Sequence, residues 1–468
     1  MTPNKPNFLI FLSDQHRGDW LPYDKSVSKS KAMKDLPLIM PNVKSIMKKG
    51  VTFTNAITPS PLCAPARACL TSGKRYKDCG VKGNYQNYPI TKHTYYKKLK
   101  NEGYITASVG KLDLHKATLF WGLNGWLEEF KQLGFTNVID NEGKWDAIFS
   151  VIREKDTNGK FRRVKSSDYT PKGPYMNFLK ENNLLDIHVN DFMKRFGKKN
   201  LNTDPTPLPE FAYCDNWVAK NAITMLKGFS HNQPWHLVVN FVGPHDPWDV
   251  TKRMKKKVKN KTLPPPFQVN GVTYQAEIEV RKNYAAMIEN IDRNIGLILN
   301  EVRRRNELDN TVIIYTSDHG EMLGDFGRYG KLRPERGSIS IPLIITAPNC
   351  IKNYYSGALV ELQDLNNTIL NYAGLKFSNS LDSNSLRSVI EGKSDYLRDY
   401  QVSAIDLSEV GLSGWKMISD GQYKLVVEDQ RNIKLFNIKK DPWEEINLSN
   451  EKKSIRNKLY QELERIYD

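Results

Sequence analysis

No apolar run in the 468 residues reaches the roughly 18 positions that a membrane-spanning helix needs, so no transmembrane segment is expected. The opening "MTPNKPNFLIFLSDQ" holds only a short apolar pentad and no cleavage site, too little for a secretory leader. That places the chain as written in the cytoplasm, or in the periplasm or outside the cell if a leader has been removed. Cysteine is scarce, with five residues at 63, 69, 79, 214 and 350. An odd count with no CxxC pair and no zinc spacing argues against a disulfide framework. The absence of any repeat of roughly 20 to 50 residues excludes a solenoid. With 39% hydrophobic and 26% charged residues, wholesale disorder is excluded as well.

What the chain has in excess is positive charge. Its 69 lysines and arginines against 52 acids give a net charge of +17. Such a field attracts polyanions, whether nucleic acid, an anionic membrane surface or a sulfated or carboxylated glycan. No nucleic-acid motif accompanies the charge, and nucleic acid is not an expected partner. The densest run, "KRMKKKVKNK" from Lys252 to Lys261, reads either as a solvated loop or edge or as a device that steers an anionic substrate.

Short apolar runs recur between helical patterns. "NFLIFL" (7–12), "YITASV" (104–109), "HLVVNFV" (236–242), "TVIIYT" (311–316) and "IPLIIT" (341–346) read as strands buried on both faces. Before the fourth run, Tyr284, Met287, Ile288, Ile291, Ile295, Ile298 and Val302 recur at helical spacing. Alternating helix and strand implies an α/β fold, a mostly parallel, doubly wound mixed sheet flanked by helices. From about residue 377 the character changes to antiparallel strands around an Asp420-Gly421 turn and a terminal amphipathic helix. The expected division is therefore a catalytic domain over 1–376 and a small C-terminal α+β subdomain over 377–468. The stretch 117–210 shows weak periodicity. Trp121, Trp126, Trp145, Trp217 and Trp248 read as core packing or as lining for a sugar pocket.

In a parallel α/β sheet, ligands bind beyond the carboxyl ends of the strands. Four of the runs are followed by "SDQHR", "GKLDLH", "GPHDPW" and "SDHGE". These supply Asp14 and Gln15; Lys111, Asp113 and His115; His245; and Asp318 and His319. One such ending means little, whereas four point to a single polar site at one edge of the sheet. Asp14, Asp318, the amide oxygen of Gln15 and the imidazole of His319 suit a divalent cation. Calcium prefers such oxygen ligands, and magnesium or manganese also fit. Either aspartate alone reads equally as a helix N-cap, and His245 alone as a hydrogen-bonded loop histidine. Cys63, in "PSPLCAPARACLTSGKRY", reads on its own as a disulfide partner, a metal ligand or a small core residue.

With these residues together, the chain resembles the type I sulfatases of the alkaline-phosphatase-like superfamily. "CAPAR" fits the family signature C-x-P-x-R, and "LTSG" follows it. "SDQHR", "GVKGN", "GPHDPW", "SDHGEMLGDFG" and "LFNIKKDPWEEINL" then occur in the family's order. The resemblance implies that a dedicated maturation enzyme, formylglycine-generating or anaerobic sulfatase-maturating, converts Cys63 to Cα-formylglycine. The hydrated aldehyde would be the nucleophile and, with Asp14, Gln15, Asp318 and His319, would complete the shell of the cation. It implies further that Arg67 orients the hydrate, that Asn84 contacts the sulfate region and that Asp318 takes the attacking hydroxyl's proton. Lys111 and Lys331 would neutralise the sulfuryl oxygens. His245, with Lys331, would protonate the leaving alcohol, and the covalent sulfate would then collapse by elimination.

Two departures stand out. Most sulfatases place histidine two residues after the lysine, where this chain has Asp113, with His115 two further on. A lysosomal glucuronate-2-sulfatase branch is similar in carrying lysine-x-Asp. Asp113 and His115 are thus rival elimination bases. The second departure is Gln15 and His319, which resemble the ligand set of some bacterial sulfatases and phosphonate monoester hydrolases. The expected activity is sulfate-ester hydrolysis on an anionic sulfated carbohydrate. The alternative is hydrolysis of phosphonate monoesters or phosphodiesters. A non-catalytic binder of sulfated glycan would instead keep Cys63 unmodified.

Overall fold

The apolar runs form the middle of a sheet because alternate residues along each strand feed different cores. Leu9, Phe11, Val239, Ile313 and Tyr315 join one hydrophobic cluster, and Phe8, Ile10, Leu12, Val238, Val312 and Ile314 the other. The structure, a computed structural model, describes residues 5–24, 27, 36–155, 161–196, 201–268, 274–376, 382–408, 411–428 and 432–467. Its strands in chain order are β1 (Asn7–Asp14), β2 (Val51–Ile57), β3 (Ile105–Gly110), β4 (Asn137–Asp140), β5 (Arg153–Lys155), β6 (Phe161–Arg163), β7 (Trp235–Pro244), β8 (Thr311–Ser317), β9 (Leu343–Thr346), β10 (Tyr354–Glu361), β11 (Gln401–Ile405), β12 (Trp415–Ser419), β13 (Tyr423–Val427) and β14 (Ile433–Asn437).

Eight strands form the main sheet in the order β10-β2-β9-β8-β1-β7-β3-β4. β1 runs parallel to β7 and β8, β3 to β7 and β4, and β10 to β2. β9 runs against both its neighbours, which makes the sheet mixed. β2, β4 and β10 lack long apolar runs and are not legible as buried strands in the sequence. The helix Tyr274–Arg304 lays Ile288, Ile291, Ile295, Ile298 and Val302, all fully buried, onto the first core.

β11 to β14 make an antiparallel sheet of four strands. One face, with Trp415, Met417 and Val426, joins the second core. The other face, with Val402, Ile418, Leu425 and Leu435, packs against Leu459 and Leu463 of the terminal helix Lys453–Tyr467. The division expected at 376/377 falls at 377–381, outside the described residues. In the stretch without clear periodicity, the structure places the helices Glu128–Leu133, Lys144–Ile152, Pro174–Glu181 and Leu185–Phe196, with β5 and β6 as a ribbon. The basic run forms the helix Lys252–Val258, whose N-cap Thr251 accepts from the Met254 N–H. No helix among the described residues is long and apolar enough to cross a membrane.

Candidate active site

The chain segments leaving β1, β3, β7 and β8 meet at one edge of the sheet. Asp14 is the last residue of β1, where the pairing with β7 shifts register. Gly110 ends β3 at φ 98°, and a Cβ there would lie 1.9 Å from the Asn240 carbonyl oxygen. Only glycine lets this turn come so close to β7, and it delivers Lys111 into the site. Cys63 opens the helix Cys63–Ser72 after β2, and the Asn84 side chain accepts from the Ala64 N–H at 3.0 Å. Asn84 thus supports the first turn of the helix that carries Cys63.

The ligand atoms of Asp14, Cys63, Asp318 and His319 all lie within 4.8 Å of one another, and all four residues are buried. Cys63 Sγ is 3.3 Å from His319 Nε2, 3.7 Å from Asp14 Oδ1 and 3.0 Å from Lys331 Nζ. Lys331 also donates to Gln15 Oε1 at 2.8 Å and lies 2.9 Å from His245 Nε2. Lys111 bonds Asp14 Oδ2 and sits 3.2 Å from Asp113 Oδ2. Arg67 places Nε and Nη2 each 2.9 Å from Asp318 Oδ2 and reaches the Lys111 carbonyl and Asn240 Oδ1. Gln15 (φ 70°), Asp113 (58°) and Leu332 (72°) hold left-handed backbone here, a conformation costly for such residues and concentrated at working sites.

The charges set the ionisation. Burial disfavours a thiolate at Cys63, but the lysines Lys111 and Lys331 oppose it and pull the thiol well below its ordinary value, with a smaller effect from His319 when that ring is protonated. Burial also opposes the charge on Lys111, and Asp113, Asp14 and Cys63 nevertheless raise it well above normal. His245 is pushed up to about 9: burial and Lys331 oppose its proton, while Asp246 and Asp14 hold it.

The donor chemistry fits a hard divalent cation. His319 Nδ1 lies 3.0 Å from the Gly320 carbonyl, which satisfies its N–H and leaves the Nε2 lone pair facing the cluster. Two carboxylates and the Gln15 amide oxygen complete a mainly oxygen set of the kind calcium takes. The amide is oriented by Glu321, which accepts from Gln15 Nε2.

Of the residues singled out in the sequence, Asp14, Gln15, Cys63, Arg67, Lys111, Asp113, His245, Asp318, His319 and Lys331 come together. His115 does not. Its ring meets Phe130 edge-on at 6.2 Å, and burial pushes its pKa down. Of the tryptophans, Trp121, Trp217 and Trp248 are buried core residues, while Trp145 donates to Asp246 at 2.8 Å. Sequence reasoning missed Lys116, which bonds Asp113 (2.9 Å) and Asp146 (3.1 Å). It also missed Asp246, which holds His245 Nδ1 at 3.1 Å, together with Asn240 and Glu321. Lys116 directly follows one quoted motif, and Asp246 and Glu321 lie inside two others, so proximity in sequence was the available signal.

Residues 6–375 match the family model described as Sulfatase, and residues 324–468 the one described as N-sulphoglucosamine sulphohydrolase, C-terminal. The chain is 26% identical over 480 residues to an arylsulfatase of Clostridium perfringens, covering 95% of this chain and 90% of that one. It is 24% identical over 439 residues to an N-acetylglucosamine-6-O-sulfatase of Bacteroides thetaiotaomicron, covering 86% and 73%. Its fold matches a protein solved in complex with its substrate D-glucosamine-2-N,6-O-disulfate, with a TM-score of 0.73, 19% identity, and 99% and 97% of the two chains covered.

Proposed function

Since the chain belongs to the sulfatase family, we propose that it removes sulfate from a sulfated carbohydrate, with residue 63 as its nucleophile. The observation that carries the site assignment is the convergence of Asp14, Cys63, Asp318 and His319 between Lys111 and Lys331. That the substrate is a carbohydrate is supported by the relative named for N-acetylglucosamine 6-sulfate and by the +17 charge. Asp14, Gln15, Asp318 and His319 would hold a cation, calcium being preferred, and residue 63 would complete its shell. The cation supplies a Lewis acid, and formylglycine at residue 63, made by a maturation enzyme, supplies a readily ionised hydroxyl.

The chain's own residues do the rest. Arg67, fixed by Asp318 and Asn240, orients residue 63 from one turn along its helix. Asp318 takes the proton of the attacking hydroxyl. Lys111 and Lys331 face the sulfuryl oxygens, where negative charge grows in the transition state. His245, anchored at Nδ1 by Asp246, turns Nε2 toward residue 63 and protonates the leaving oxygen. Asn84 steadies the helix start below the sulfate. Asp113 is the elimination base: it sits between Lys111 and Lys116, and its buried Oδ1 has no hydrogen-bond partner.

Three measurements test this. Mass spectrometry of the peptide around residue 63 is expected to find an aldehyde in protein from its native host, and an unmodified thiol overturns the nucleophile. Comparative rates on aryl sulfate, aryl phosphodiester and aryl phosphonate are expected to favour the sulfate, and the reverse order establishes the phosphonate or phosphodiester activity instead. Asp113→Ala is expected to accumulate the covalent intermediate and His115→Ala is not.

A further inference from the structure

Beside the leaving-group side of the site stands a row of rings that the reaction leaves unused. Trp145 Nε1 donates to Asp246, which in turn holds His245. One turn along the helix Lys144–Ile152, the Phe149 ring stacks on the indole, with 6.1 Å between centroids and 20° between planes. Phe196, at the end of the helix Leu185–Phe196, meets both rings edge-on at 5.6 and 6.1 Å and is 51% exposed. Phe192 anchors the indole from the core side at 5.6 Å. Arg153 lays its guanidinium 4.2 Å from the centre of the Phe149 ring. It is exposed, and among the described residues no carboxylate pairs with it.

Exposure rises along this row, from half-buried Trp145 and Phe149 to exposed Phe196 and Arg153. A core cluster closes over its rings, whereas this one starts at the catalytic histidine's partner and opens to solvent. Flat rings receive the apolar face of a pyranose, and a guanidinium held flat against one of them presents its edge to a carboxylate or sulfate. We propose that Trp145, Phe149, Phe196 and Arg153 form a subsite for the sugar that carries the ester or adjoins it, with Arg153 reading a second anionic substituent. The inference rests on the carbohydrate reading and names the kind of sugar: one bearing a further carboxylate or sulfate.

The test uses the formylglycine-bearing enzyme and sulfated disaccharides in pairs, each pair differing by one additional sulfate or carboxylate. 4-Nitrophenyl sulfate serves as the substrate without a sugar. Arg153→Gln is expected to lower kcat/KM for the more anionic member by about 10-fold relative to its pair, through KM rather than kcat. Phe196→Ala is expected to lower both members by about 5-fold relative to 4-nitrophenyl sulfate. Both positions are exposed, so folding is not at stake. Arg162→Gln on β6, where the side chain is 69% exposed, is expected to leave every ratio in place. Sugars turned over with unaltered ratios in Arg153→Gln and Phe196→Ala overturn the subsite alone. Turnover of 4-nitrophenyl sulfate with none of any sugar overturns the carbohydrate reading and the subsite with it.

Discussion

Two buried clusters of charge stand at the carboxyl ends of strands in this molecule, and they are built differently. At the end of β10, Glu361 receives Arg75 at 3.1 and 3.2 Å and Arg398 at 2.6 Å, and also accepts from the Val402 N–H of β11. Arg398 bonds Asp364 in turn, so two arginines and two carboxylates close on one another and tie the main sheet to the second one. At the ends of β1, β3, β7 and β8 the charges are also paired, but around a thiol. Lys331 faces Cys63 as well as Gln15, and three residues hold left-handed backbone. Buried charge that closes on itself is a clamp, while buried charge arranged around a reactive group is a candidate site.

The sharpest way to break this contrast is to exchange the phenotypes. Cys63→Ala is expected to cost at least about 10⁴-fold in kcat with little change in thermal midpoint, since it removes the proposed nucleophile and one small side chain. Steady-state rates and a melting curve on the same preparation check it, and a stable variant with residual activity above that level removes Cys63 from the reaction. Arg398→Ala is expected to do the opposite. It leaves Asp364 buried without its cation and Glu361 with Arg75 alone, costing about 3–5 kcal/mol in denaturant unfolding, while kcat per folded molecule stays unchanged.

Another buried carboxylate sharpens the comparison, because among the described residues no arginine pairs with it. Burial pushes Asp215 up to about 6, against Lys144 and the N–H groups of Gly243 and Val242. The folded chain then holds this proton more tightly than the unfolded chain, whose reference is 3.8. Its contribution to stability is full below that value and is lost as pH rises to about 6. The loss amounts to at most about 3 kcal/mol. Asp215→Asn is expected to flatten the stability profile across that window, and an unchanged slope assigns the pH dependence elsewhere. The smallest effect concerns the cation. Calcium at about 100 times its dissociation constant is expected to add about 2.7 kcal/mol of stability. The gain should survive in Arg398→Ala and shrink in Asp318→Asn. Equal gains in both variants move the cation away from this site.

Much of the fold was legible because burial on both faces writes itself into local composition. The runs at 7–12, 236–242 and 311–316 are apolar whichever way each side chain points, and the isoleucines of the long helix keep helical spacing. The strands β2, β4 and β10 were not legible, since polar positions interrupt their patterns. β9 was legible as a strand but not in direction: hydrogen-bond partners far away in sequence set its antiparallel sense. The candidate site divides the same way. Asp14, Asp318 and His319 follow directly from the ends of strands, whereas Lys116 and Trp145 lie on connections whose paths depend on packing.

By itself, then, the sequence determined the chemistry available: which acids, amides and imidazoles end the strands, and a C-x-P-x-R stretch around Cys63 that resembles the sulfatase signature. Those are local properties, carried by periodicity and by motifs a few residues long. Only the tertiary structure decided between neighbours. It turned Asp113 into the ion cluster and His115 onto Phe130, because the left-handed residue at 113 sends adjacent side chains to different surroundings. It also took Trp145 alone of five tryptophans to Asp246, the partner of His245, through helices packed from a stretch without clear periodicity. Side-chain direction in such connections depends on contacts between residues distant in the chain, which no local pattern records.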